Sequence, residues 1–154
     1  MLSRIVSGGQ TGVDRAALDV ALELALDCGG WCPQGRRAED GLIPERYPLV
    51  ETPWDGYPQR TEWNVRDSDG TLVFSIATML TGGSKKTVDL ARKHRKPVLH
   101  LSRNGGELSP EQELQRFLSE HHIRVLNVGG PRASKEPDVA GFVKEVLEKA
   151  WASA

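Results

Sequence analysis

The amino-acid sequence predicts a three-layer α/β/α domain, with helices on both faces of a mainly parallel sheet of about five strands. Strand-like and helical patterns alternate along most of the chain, as βα units do. The run Thr71-Leu72-Val73-Phe74-Ser75-Ile76 is continuous, the mark of a strand covered on both faces. Three strand-like runs lead through Gly-Gly to a helical pattern, at Gly8-Gly9, Gly82-Gly83 and Gly129-Gly130.

Taken in order, residues 3–7 form a short strand around Ile5 and Val6. A helix follows over about 13–27, where Arg15, Asp19, Glu23 and Asp27 recur every four positions as one polar stripe. Nearly all its other residues are Ala, Val or Leu, so its apolar face is wide enough to meet a second helix or a subunit as well as the sheet. Residues 29–32 read as a second strand, and 33–69 as a long irregular insertion. After the strand at 71–76 come a helix over 85–95 and a strand over 97–101. Ser109, Pro110 and Gln112 carry the cap, first-turn proline and capping-box pattern of a helix start. Leu114, Phe117 and Leu118 mark the buried face of that helix. A strand at 124–128 and a helix from about 137, burying Val139, Val143, Val146, Leu147 and Ala150, complete the chain.

A length of 154 residues suits one domain, 1–154, able to bury roughly 68–70% of its unfolded surface. The 20 basic and 21 acidic residues leave a net charge of −1, which argues against nucleic-acid binding over a broad face. No stretch approaches the roughly 20 apolar residues of a membrane span, and no signal peptide is readable at Met1. Cys28 and Cys32, if both lie on the strand at 29–32 and its approach, are about 13 Å apart and cannot pair. Free thiols point to a cytoplasmic location. Neither the cysteines nor His121-His122 form a metal-ligand pattern, so no metal site is expected.

The glycine loops carry the chemistry. In an open parallel sheet, ligands bind beyond the carboxyl ends of the strands. Glycine lets the backbone approach closely there, and the next helix offers free N–H groups and its positive dipole end to an anion. In the first loop, Gly9, Gln10, Thr11 and Gly12 can cradle a phosphate, with Arg15 as a cationic fork. Gly82 and Gly83 form the facing loop. The same glycines would also serve plain tight turns. Neither a dinucleotide G-x-G-x-x-G nor a Walker loop is present, which argues against an NTPase.

The insertion is too long for a plain connection. It holds Tyr47, Trp54, Tyr57 and Trp63, together with Arg36, Arg37, Arg46, Arg60 and Arg66 and no lysine. Arginine with aromatic rings suits a planar anionic ligand, and equally a protein interface. If the stretch from Arg60 is helical, Thr61, Asn64 and Ser68 share one face. Asp69 reads as capping or turn chemistry.

The segments Gly8–Asp19, Gly30–Pro33, Gly35-Arg36, Ala38–Gly41, Arg60-Thr61, Asn64-Val65, Asp67–Thr71 and Gly82-Gly83 with Thr87 together resemble the circularly permuted YpsA-like family. That family, named for molybdenum carriage, lies in the SLOG superfamily of Rossmann-like proteins, and the resemblance covers residues 4–101. It implies a strand-end pocket for a phosphorylated small molecule, either a nucleotide or the phosphate-bearing pterin of the molybdenum cofactor (molybdopterin). Gln10, Thr11, Gly12, Gly83, Ser84 and Thr87 would then contact phosphate, and Arg36, Glu39, Asp40, Thr61, Asn64 and Asp67 would line the pocket. It also implies a homo-oligomer, a dimer or tetramer. Gln34 and Lys85-Lys86 depart from the family pattern. The lysines either add an anion contact or are simply solvated on the helix's first turn; the positive helix end disfavours lysine unless an anion compensates, which tilts the reading to solvation.

Three functions follow as expectations. The first is a non-catalytic carrier of a phosphorylated ligand. The second is a nucleotide phosphoribohydrolase like the lysine-decarboxylase-like relatives, although Leu90 stands where their P-G-G-x-G-T-x-x-E pattern has its glutamate. The third is an assembly module whose insertion makes only oligomer contacts.

Overall fold

The computed structural model describes residues 1–152, so the last two residues of the expected 1–154 domain lie outside the description. Five strands form the main sheet: β1 (Arg4–Val6), β2 (Asp27–Gly29), β7 (Gly70–Ser75), β8 (Val98–Ser102) and β9 (Val125–Gly129). Their order is β2-β1-β9-β7-β8, and every neighbouring pair is parallel. The last strand in sequence therefore lies at the centre, between the first and the third. All six residues of β7 are buried, as its continuous run requires.

Helices α1 (Val13–Glu23), α4 (Pro110–Glu120) and α5 (Val139–Ala152) pack side by side, α1 against α5 and α5 against α4. They close the larger core on Ile5, Leu72, Phe74, Leu101, Leu126 and Val128. Phe74 meets Phe142 of α5 edge-to-face, with ring centroids 5.6 Å apart. α3 (Gly82–Lys93) and α2 (Tyr57–Arg66) pack together, α3 against β7 and β8, around a smaller cluster of Val65, Leu90 and Ala91. The wide apolar face of α1 is used within the chain: Ala16, Ala17 and Ala21 are buried, and the helix touches β1, β2, β9 and α5. Leu22, near its C-terminal end, stays exposed. Ser109 caps α4 as expected, accepting from the Gln112 backbone N–H at 3.3 Å.

Several boundaries differ from the sequence reading. α1 ends at Glu23, because Ala25 takes a left-handed φ of 55° and turns the chain into β2. The strand expected over 29–32 is two strands. Gly30, at φ 127°, breaks it, and a Cβ there would collide with the Ser7 carbonyl oxygen. Beyond it, β3 (Trp31–Cys32) leaves the main sheet and pairs in parallel with β6 (Val50–Glu51). Cys28 and Cys32 therefore lie in different sheets, both buried and free. The insertion is more ordered than its pattern suggested: β4 (Arg37–Ala38) and β5 (Gly41–Leu42) form a small antiparallel hairpin, and α2 starts four residues before Thr61. Ser68 falls beyond α2, so it does not share a helical face with Thr61 and Asn64. α3 begins at Gly82, three residues before Lys85, which makes Gly82-Gly83 the first helical turn rather than a loop.

Candidate functional site

A cavity of about 270 Å³ lies beyond the carboxyl ends of the central strands. Its walls come from the β1–α1 loop, the end of β9 with the loop after it, and the first turns of α2 and α3. This is the position an open parallel sheet reserves for ligands, where connections leave in opposite directions.

The helices that open on this cavity lack side-chain caps. Gly56 before α2 and Thr81 before α3 make no side-chain cap hydrogen bond, whereas α4, outside the cavity, is capped by Ser109. Gly83, Ser84 and Thr87 of α3 line the wall, and the Thr87 hydroxyl donates to the Gly83 carbonyl at 3.0 Å. The charge lining is unbalanced. Arg60, Lys86, Arg132 and Lys135 face one carboxylate, Asp14. Lys86 and Lys135 make no ion pair among the described residues, and Lys135 Nζ stands 2.9 Å from where a Cβ on Gly82 would be.

Arg60 and Asp14 form the buried heart of the wall. The Arg60 side chain is 10% exposed, and its Nη1 donates to Asp14 Oδ2 at 3.0 Å. The guanidinium lies so close over Gly8 that any Cβ there would strike it, which accounts for glycine at that position. Among the described residues Arg60 Nε has no hydrogen-bond partner, although it is buried. An unpaired buried donor of this kind costs stability unless something meets it. Burial pushes the Asp14 carboxyl above its ordinary value, and the Arg60 charge pulls the other way.

The residues that the sequence singled out are divided by the structure. Gln10, Gly83, Ser84, Thr87, Thr61 and Asn64 line the cavity. Asn64 also clamps Trp31, accepting from its N–H at 2.8 Å and donating to its carbonyl at 2.9 Å. Gln10 Oε1 accepts from the backbone N–H of Thr11 and of Glu39, which ties the first loop to the insertion. The other residues stand behind the wall. Gly9 packs on Leu49 and Ile43, and Gly12 lies against Pro131 and Arg132. Thr11 donates to Glu39, which in turn accepts from Ser134 Oγ at 2.6 Å. Those hydroxyl donors hold the Glu39 carboxyl below its ordinary value. Arg15 binds Asp40 through both guanidinium nitrogens and keeps that carboxyl low too. Asp67 accepts from Trp31 Nε1 at 2.8 Å and from Arg66.

Arg36 lies away from the cavity. It donates to four carbonyls of the insertion, those of Ile43, Pro44, Tyr47 and Leu49. Its planar fork organises a loop rather than a ligand. Asp69 does strand-end work, accepting from the N–H groups of Arg124 and Val125 at 3.0 and 2.8 Å.

Sequence reasoning named Arg60 only among the arginines of the insertion, Lys86 only as an open alternative and Gly129 only as a loop glycine, and it missed Asp14, Asn127, Arg132 and Lys135 as site residues; all seven line the cavity. The signal for Lys86 was present, since a lysine in a positive first turn calls for an anion. The third Gly-Gly, at 129–130, marked the β9 wall.

Comparisons with known proteins agree with the fold. The model of the circularly permutated YpsA SLOG family matches residues 5–151. A crystal structure from Syntrophus aciditrophicus SB, described as "Putative molybdenum carrier protein", is 45% identical with a TM-score of 0.91, covering 97% of this chain and 94% of that one. A comparison with curated proteins found no match.

Proposed function

The chain belongs to the circularly permuted YpsA SLOG family, and from that membership we propose that it is a non-catalytic carrier of a phosphate-bearing or similar oxyanionic small molecule. The ligand sits in the cavity at the strand ends. One observation carries this reading: four cationic side chains line the cavity against one carboxylate, and with Arg60 paired to that carboxylate and Arg132 to Glu39, Lys86 and Lys135 make no ion pair among the described residues. Such a site binds net negative charge. The uncapped first turn of α3 supplies backbone donors on the same wall.

The similar crystal structure suggests molybdenum as cargo. The donor set here fits an anion's oxygens rather than a bare metal ion. Among the described residues no group of three His, Cys, Asp or Glu could hold a metal, and neither cysteine lines the cavity. Molybdenum would therefore travel as an oxyanion or within an organic phosphate, held through its oxygen atoms by Arg60, Lys86, Lys135 and the α3 amides.

Titration calorimetry with inorganic phosphate and with molybdate, alongside native mass spectrometry and metal analysis of gently purified protein, tests the reading. Binding of either anion that weakens steeply with salt supports it. Release of ribose 5-phosphate from nucleoside monophosphates would replace it with a hydrolase.

A further inference from the structure

Asp14 is at odds with an anion site, since a carboxylate in the wall repels the ligand the cations attract. Its two oxygens are not equivalent. Oδ2 accepts from the Gln10 N–H at 3.3 Å and from Arg60 at 3.0 Å. Among the described residues Oδ1 accepts no hydrogen bond, and Asp14 lines the cavity. In front of it lies an empty cradle. A Cβ on Gly129 would stand 3.8 Å from Asp14 Oδ1 and 3.9 Å from Thr87 Cγ2, at ordinary contact distance from both and in collision with neither.

The size of the cavity points the same way. Its volume of about 270 Å³ is close to the lower end of small-molecule pockets, roughly 300–1,000 Å³. It is about twice what four water-sized oxygens would occupy, so a bare tetrahedral anion leaves part of the cavity unfilled.

We propose that Asp14 reads the uncharged part of the ligand: Oδ1 accepts a hydrogen bond from a neutral O–H or N–H, so the cavity selects an organic phosphate carrying such a donor over a bare oxyanion. This rests on the anion-binding reading above. A neutral donor satisfies the free oxygen, whereas a second anionic oxygen placed there meets like charge. Sites built to bind a ligand's hydroxyl or N–H discriminate strongly against analogues without one, because a buried polar group is then left unpaired.

Calorimetry of the full chain with four probes decides the matter. Inorganic phosphate and tetrahydrofurfuryl phosphate offer no neutral ring donor. Ribose 5-phosphate offers sugar hydroxyls, and 2′,3′-dideoxyguanosine 5′-phosphate offers base N–H groups without them. At least one of the last two should bind about ten- to a hundredfold tighter than tetrahydrofurfuryl phosphate; which one does so identifies the donor as hydroxyl or ring N–H. In Asp14→Asn the amide oxygen stays toward Arg60 and the NH₂ turns to the cavity. The preference should then shrink to within about threefold, while inorganic phosphate binds as well or better because a negative charge has gone. A purely structural ion pair would not shift that ratio. Equal binding of all the organic probes by the parent protein, or a preference that survives in Asp14→Asn, overturns the assignment and leaves the anion site standing. Failure of every probe, inorganic phosphate included, overturns the anion site and this inference with it. If Asp14→Asn does not fold, the four-probe comparison on the parent protein still decides.

Discussion

Replacing Gly129 by alanine should uncouple stability from binding. Gly129 ends β9 with a φ outside the left-handed range, so alanine can take the same backbone. The nearest neighbours of the new methyl, Asp14 Oδ1 at 3.8 Å and Thr87 Cγ2 at 3.9 Å, are at ordinary van der Waals distance, and nothing has to move. Losing glycine's freedom in the unfolded chain stabilises a protein by about 0.4–1 kcal/mol at compatible sites. For a domain of this size that is a rise in Tm of about 1–4 °C. The same methyl fills the space in front of Asp14, and any ligand atom must stay about 3.5–4 Å from it. Where the ligand's donor approaches Oδ1 through that space, one hydrogen bond to a charged group is lost, about 1.5–3 kcal/mol, which is ~10- to 150-fold in Kd. Thermal melting and calorimetry with ribose 5-phosphate on the same preparation read both effects. An affinity within twofold of the parent would refute the assignment of this space to the ligand. A Tm lowered by more than about 5 °C would refute the claim that the space is empty.

Three further outcomes are expected. Lys86→Gln and Lys135→Gln should each weaken inorganic phosphate by about two- to fivefold at low salt and flatten the salt dependence, with unchanged Tm, since exposed charges contribute about 0.5–1 kcal/mol; a wild-type salt profile in the double variant would count against the cationic rim. Arg36→Ala should destabilise the protein by about 3 kcal/mol in a urea titration, because four carbonyls of the insertion lose a shared donor at once; preferential proteolysis within residues 37–56 would place the loss there. Glu39, Asp40 and Asp67 all have folded-state pKa values below their ordinary ones. Their contribution is therefore full above the ordinary carboxylate range and is lost as pH falls through the depressed values. Hydrogen exchange of the insertion should be constant from pH 7 to about 5, after correction for intrinsic rates, and should rise below about 4 ahead of the main sheet; uniform loss of protection across the chain would contradict this.

The alternation of strands and helices, the doubly covered β7 and the Ser109 cap were all legible in sequence, because each depends on local pattern. The site was legible only in part. Gln10, Ser84 and Thr87 lie next to their glycines in sequence, and proximity to the loop sufficed to place them. Arg60 and Asp14 are 46 residues apart and meet only through the packing of α2 over Gly8, which no periodicity predicts. Arg36 misled for a related reason. An arginine among aromatic residues looks the same whether its fork meets a ligand or four carbonyls of its own loop. The Gly30 break was hidden because Trp31 and Cys32 have strand propensity and do form a strand, though in another sheet.

The central position of β9 also bears on how the chain acquires its structure. β1 and β7 do not pair with each other; each pairs with β9. Until residues 125–129 arrive, the sheet can exist only as two separate ribbons, β2-β1 and β7-β8, and two-stranded ribbons are marginal alone. Closure of the sheet is thus a late, long-range event, of the kind that slows folding. The segment that joins the halves also carries Asn127 and Gly129 into the cavity. During synthesis on the ribosome, the ability to bind should emerge together with the completed sheet, and no shorter nascent chain should have it.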